Sequence, residues 1–243
     1  MNLAYLRAEA QRTLRNPRYL LFTLGIPLLL FLVIGNAYDG DVAGVSAQTW
    51  YMINMATFGA MGAVLGTGAR IAVERDAGWN RQLRLTPLSP RSYVVTKVVV
   101  GMALALPAML LVGAAGALTG KVHLDAAQWA GVLLVTWVAL LPLAAVGVGI
   151  GYLSRGDGAQ AVNGGILMLL SMFGGLWFPL DGAPSWMSAI AHATPTYWLG
   201  QVSRAPLTGS WPAVAGWLVL AGWMLAAVRV AATRYRLDAV RAA

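Results

Sequence analysis

Six long apolar runs set the fold class of this chain before any motif is read. They cover about residues 19–38, 50–69, 94–119, 129–153, 161–178 and 213–228. An α-helix rising 1.5 Å per residue needs about 20 residues to cross a hydrocarbon core about 30 Å thick. Lipid offers the backbone no hydrogen-bond partner, so a crossing segment must satisfy its own amides and carbonyls. Open sheets fail that test, and continuous apolar runs lack the period-two alternation of a membrane barrel. The chain therefore reads as an all-α membrane protein of six transmembrane helices. Its charge content fits: 11% of 243 residues, with 58% hydrophobic, where soluble domains carry about 25% charge. The first run is longer than a signal-peptide core, and Gly35-Asn36-Ala37-Tyr38 offers no small-x-small cleavage site, so it reads as a retained helix.

Charge gives the orientation. Arg7, Arg12, Arg15 and Arg18 precede the first run, and Arg70, Arg75, Arg81, Arg84, Arg91 and Lys97 lie between the second and third. Arg155 follows the fourth, and Arg229, Arg234, Arg236 and Arg241 end the chain. Only Lys121 and Arg204 fall on the opposite side, so 15 of 17 basic residues share one face of the membrane. By the positive-inside rule both termini of this multi-pass protein are cytoplasmic; fifteen arginines against two lysines fit a GC-rich bacterial genome, so the expected location is a bacterial plasma (inner) membrane. The net charge of +8 then answers to topology and anionic headgroups. Nucleic acid is not an expected partner, because no basic stripe interleaved with aromatics lies outside the spans. Cysteine is absent, which removes disulfides and thiolate metal sites.

Residues 1–18 place Leu3, Leu6, Ala10, Thr13, Leu14 and Pro17 on one stripe of a helical wheel with Arg7, Arg12, Arg15 and Arg18 outside it. This reads as an amphipathic interfacial helix, a frayed topogenic tail being the alternative, ahead of a membrane domain over 19–243. The segment 179–211 is too apolar for a solvated linker and too interrupted to span. Pro195 divides it into two short re-entrant or interfacial helices, 185–193 and 196–203. Pro27, Pro107 and Pro142 are expected to kink or loosen their helices. Gly62 with Gly66, Gly116 with Gly120 and Gly147 with Gly151 permit close helix contact.

Much chemistry is missing. The acids Glu9, Asp39, Asp41, Glu74, Asp76, Asp125, Asp157, Asp181 and Asp238 all lie outside the depth of a span, so a proton or sodium gradient has no evident handle. Ser171 lacks a GxS setting, and His123 and His192 stand far apart without nearby carboxylates; no catalytic residue and no metal site is expected. No GxxxxGK[ST] loop is present. Any energy for transport must enter from another protein.

The segment 74–88 is where that protein would dock. Glu74, Arg75 and Asp76 follow the second span; Gly78 and Trp79 offer a break; Arg81, Leu83, Arg84 and Leu85 set charge beside apolar anchors; Thr86-Pro87 ends the turn. Ser89-Pro90 suits the start of the third span. This reads as a short cytoplasmic coupling helix seated in a soluble partner; a solvated topogenic loop is the alternative, which would need no Trp and no Leu pair.

Glu74-Arg75-Asp76-Ala77-Gly78 followed by Leu83-Arg84-Leu85-Thr86-Pro87-Leu88-Ser89-Pro90-Arg91-Ser92-Tyr93 resembles the ERExGT…LRxTPLSxxxY pattern of ABC-2 type permeases, with Trp79-Asn80 as a departure. Arg15-Asn16-Pro17-Arg18 and Phe173-Gly174-Gly175-Leu176-Trp177-Phe178-Pro179-Leu180 extend the likeness. The nearest subgroup is the daunorubicin-resistance type, so the resemblance implies the membrane subunit of a multidrug-type exporter. It implies that the chain itself binds no cofactor and that ATP and Mg enter through a separate ATP-binding subunit in two copies. It also implies a second permease copy, identical or paralogous, meeting the first through spans one and five. The cargo would be an amphipathic drug, antibiotic or lipid-like molecule. Asn54, Asn163, Met168, Met172, Trp177 and Phe178 are candidates for its path, ordinary packing explaining the Met and aromatic set equally well. A non-transport membrane scaffold or immunity protein of the same fold is the rival reading.

Overall fold

The computed structural model describes residues 3–35, 37–78, 90–156, 158–180 and 182–241. It is mostly helical. Helix α1 (Leu3–Leu14) leads through Asn16 into α2 (Pro17–Leu20), a wide π turn over Leu21–Gly25, α3 (Ile26–Leu30) and a second π turn over Phe31–Gly35. A two-strand hairpin follows, β1 (Asp41–Val42) with β2 (Val45–Ser46), Asp41 opposite Ser46. Its turn holds Ala43 at φ 50° and Gly44 at φ 80°, the pair of left-handed residues that a tight hairpin requires. The apolar-run reading had no means of finding it.

Then come α4 (Ala47–Asp76), α5 (Pro90–Leu118), α6 (Ala126–Ala139), α7 (Leu141–Leu153), α8 (Gly158–Phe173), α9 (Ser185–Ala193), α10 (Pro195–Thr208) and α11 (Val214–Arg241). Their starts follow from side-chain chemistry. Ser46 caps α4 by accepting from the Thr49 amide at 3.3 Å. Asp125 and Gln128 exchange bonds of 2.8 and 3.0 Å in a capping box at α6. Pro195 supplies the first turn of α10 behind the Thr194 cap. Gly209, at φ 69°, ends it.

Among the described residues, four stretches are long and apolar enough to cross a membrane: Ala47–Asp76, Ser92–Leu118, Ala126–Leu153 and Val214–Tyr235. The apolar stretches Leu21–Gly35 and Gly158–Phe173 are shorter. The expected loosening at Pro142 appears as an interruption at Leu140, whose amide is shared between the carbonyls of Thr136 and Trp137, both at 3.2 Å. Pro107 lies inside an unbroken α5.

Helix α4 is the axle. Its most apolar window is 78% buried by the rest of the chain, against 17% for α11, which turns Leu218, Leu225 and Val228 outward. One crossing is unusually close. A methyl group on Gly68 would run into the Gly147 carbonyl oxygen, and one on Gly151 would stand 2.6 Å from the Gly68 carbonyl oxygen. Two backbones therefore touch with no side chain between them. Of the three glycine pairs in the sequence, Gly147 and Gly151 are thus used within the chain. Gly116 makes room for the Met52 sulfur, and Gly62 faces Leu167.

Candidate functional site: the roots of the 74–88 segment

Positions Trp79, Arg81, Leu83, Arg84 and Leu85, called as part of the coupling helix, lie outside the described residues. The flanks of that segment are described. Helix α4 continues past the apolar run to Asp76, and its last turn is fastened on two sides.

On one side Glu74 is 7% exposed and both of its oxygens are engaged. Lys97 Nζ donates to Glu74 Oε1 at 2.6 Å, and Tyr93 Oη donates to Glu74 Oε2 at 2.6 Å. Lys97 also donates to Glu9 Oε1 at 2.7 Å and lies 5.4 Å from the centre of the Tyr93 ring. Arg12 approaches Glu74 at 3.5 Å from a far more exposed position, 70% against 8%. Next to this group Arg70 Nη1 donates to Thr13 Oγ1 at 2.6 Å, and Thr13 bonds the Glu9 carbonyl at 3.0 Å. Helices α1, α4 and α5 thus meet at one buried ionic cluster.

On the other side Arg75 Nη1 donates to the Gly151 carbonyl at 2.9 Å, and its guanidinium lies 5.0 Å from the Tyr152 ring centre. A cation at that place meets the carbonyl end of the α7 dipole. Asp76 is exposed. Gly78 adopts φ 72° with nothing near its Cβ position, so the chain leaves α4 through a left-handed residue. Of the predicted coupling residues, then, Glu74 and Arg75 point into the bundle, Asp76 is exposed with its carboxylate beside Gly156, and Gly78 gives the chain its exit from α4.

Glu9 and Lys97 escaped prediction as site residues. Glu9 borders the apolar stripe of α1 one turn before Thr13, and Lys97 sits one turn after Tyr93 at the head of an apolar helix. A lone acid at a stripe's edge and a lone cation in a span were the available signals. Counting Lys97 as a topology charge hid the second.

The predicted path residues do not form one lining. Asn54 is fully buried in α4 and accepts from Arg204 Nη1 of α10 at 3.1 Å. Asn163 is buried in α8. Trp177 donates to Ser171 Oγ at 3.1 Å and meets Phe58 edge-on at 5.4 Å, a packed arrangement. Met168, Met172 and Phe178 are exposed on the outside of the chain. A separate cavity of about 350 Å³ opens between the hairpin, α4, the 174–183 stretch, α9 and α10, with Trp50, Ser188, His192, Tyr197, Gln201 and Arg204 among its lining. Tyr197 stands 4.4 Å and Trp198 5.6 Å from the His192 ring. Among the described residues no group of acids, histidines or cysteines is placed to hold a metal.

Comparison with known proteins gives this arrangement its context. The pattern of the ABC-2 type transporter family matches residues 2–207, which include the hairpin, α4, both roots of the 74–88 segment and most of α10. The chain is also similar to YvfS of Bacillus subtilis (strain 168), whose name describes it as a transport permease: 28% identity over 211 residues, 85% of this chain and 82% of that protein. This multi-pass helical chain, its long helices tied together at the foot of the charged 74–88 segment and matched over most of its length by that family, belongs to the ABC-2 type transporter family as a transport permease.

Proposed function

We propose that this permease is the membrane subunit of an ATP-driven exporter. Two copies of a separate ATP-binding subunit power it, and it carries an amphipathic drug, antibiotic or lipid-like molecule out across the bacterial plasma membrane. Six spans are counted in this reading, with Leu21–Gly35 and Gly158–Phe173 as the short ones, α9 and α10 re-entrant from the outer side, and both termini cytoplasmic. A second permease copy, identical or paralogous, completes the pathway against the first span and α8. On that face Met168 and Met172 are exposed and offer adaptable apolar contact.

The observation that carries this reading is the fastening of α4 and α5 at their charged ends. A segment seated on an ATPase can do mechanical work only if its roots cannot swivel. Here the Glu74 bonds to Lys97 and Tyr93 join the two helices on either side of the segment, and Arg75 joins α4 to α7. Displacement of the segment would then arrive in the bundle as a rigid-body shift. Trp79, Leu83 and Leu85 serve as the anchors in the ATPase, and the nucleotide and Mg are bound there.

Purification of the permease with a P-loop ATPase from a neighbouring reading frame tests the reading. ATP hydrolysis by the reconstituted pair should rise with amphipathic compounds, and Leu83→Asp should remove the ATPase from the complex while the permease still inserts. Retention of the ATPase at wild-type strength by Leu83→Asp would count against docking through this segment. Transport by the permease with no second protein would overturn the reading.

A further inference from the structure

Lys97 touches both Glu74, at the root of the 77–89 segment, and Glu9, on α1. Its ammonium is compact, with three donors, and two of them reach carboxylates on different elements at 2.6 and 2.7 Å. Lys97 is 1% exposed on its side chain, Glu9 5% and Glu74 8%. Burying three charges is a poor route to stability, because desolvation offsets most of the attraction. What such a cluster does supply is geometry: neither acid can leave the ammonium without giving up a charged partner at a buried site. A greasy contact would let α1 slide; this one does not.

Helix α1 continues through Asn16 into the Pro17–Gly35 stretch, where π turns occupy Leu21–Gly25 and Phe31–Gly35. Wide turns of this kind are rare in helices and occur frequently at functional sites. The stretch packs against α4 and α5 along its length, with Thr23 and Pro27 standing over Gly59.

We propose that Glu9–Lys97–Glu74 is a transmission joint with Lys97 as its positioning residue. It makes α1 move with the roots of the 77–89 segment and so passes their displacement to the Pro17–Gly35 stretch. The joint rests on the ATP-driven reading above. It adds a second route into the bundle, lateral to the direct one through α4 and α5.

The chain has no cysteine, so spin labels can be placed at will in the full complex of permease and ATPase in phosphatidylethanolamine–phosphatidylglycerol nanodiscs. One label pair, Gln11→Cys with Val95→Cys, reports α1 against α5; a second, Val33→Cys with Leu118→Cys, reports the first stretch against α5. In the wild-type background the first distance should stay narrow and fixed, and the second should shift when ATP is trapped. Glu9→Gln should broaden the first distance and remove most of the shift of the second. Glu9→Asp should restore most of both, and the exposed Arg7→Gln should change neither. Lys97→Met should repeat Glu9→Gln; if it fails to fold, Glu9→Gln alone decides. A full shift in Glu9→Gln overturns the joint while leaving the ATP-driven reading in place. A wild-type complex that hydrolyses no ATP and shows no shift overturns the driven reading and the joint with it.

Discussion

The ionic cluster makes opposite forecasts for two cations that contact the same acid. Lys97→Met takes the ammonium from two carboxylates that are almost fully buried, and removal of one partner from a buried charge group costs about 3–5 kcal/mol. Arg12, 3.5 Å from Glu74 and 70% exposed, should cost less than about 1 kcal/mol when changed to Ala. Thermal unfolding in detergent, followed by tryptophan fluorescence, separates the two; equal losses would mean that the cluster is solvated. Glycines divide in the same way. Gly68→Ala drives a methyl into the Gly147 carbonyl and should cost about 1–3 kcal/mol or more, whereas Gly222→Ala, with open space around it, should be neutral or gain about 0.5–1 kcal/mol from helix propensity. None of this was legible in the sequence. The same letter stands for a lysine that marks topology and one that bridges two helices, and the three glycine pairs looked alike until Gly68, which belongs to none of them, was found opposite Gly147 and Gly151. The Asn54–Arg204 bond joins residues 150 positions apart, beyond the reach of any local pattern.

Whole elements were read far better, because burial in lipid or protein writes itself into long apolar runs. The stretches around 50–69, 94–119, 129–153 and 213–228 each lie within a long apolar helix, and α9 ends where Pro195 begins α10. The ends fared worse, for a physical reason. The second run stops at residue 69 because Arg70 follows, yet α4 continues to Asp76: Arg70, Glu74 and Arg75 find partners on α1, α5 and α7, so the helix need not end where the apolar run does. Helix α10 likewise runs to Thr208 and carries Pro206 inside it. The π turns of the first stretch left no trace in residue type. At this scale the capping box is the simplest thing to break. Asp125→Ala should cost about 1 kcal/mol and speed amide exchange in the first turn of α6 while α5 is unaffected; slow exchange at Ala127 and Gln128 in the variant would show that the cap carries nothing.

At the scale of the molecule, orientation follows from where the charges gather. In a right-side-out preparation, Ser210→Cys should react with a membrane-impermeant maleimide from outside, and Arg155→Cys only after permeabilisation. The reverse pattern would place the ionic cluster outside the cell, out of reach of any ATPase. The family was legible because the segment between the second and third runs keeps its letters in order, while the contacts that give the segment purchase were not, since they depend on how four helices are brought together. The backbone contact of α4 with α7 has one more consequence. Gly68 lies about 10 Å along the helix from Arg75 and about 27 Å from Trp50 at 1.5 Å per residue. Under the proposed driven reading, a rod pinned at that point would be a lever with unequal arms: a small tilt imposed at its ionic end would sweep its aromatic end through an arc about 2.5 times larger, with the glycines as its fulcrum.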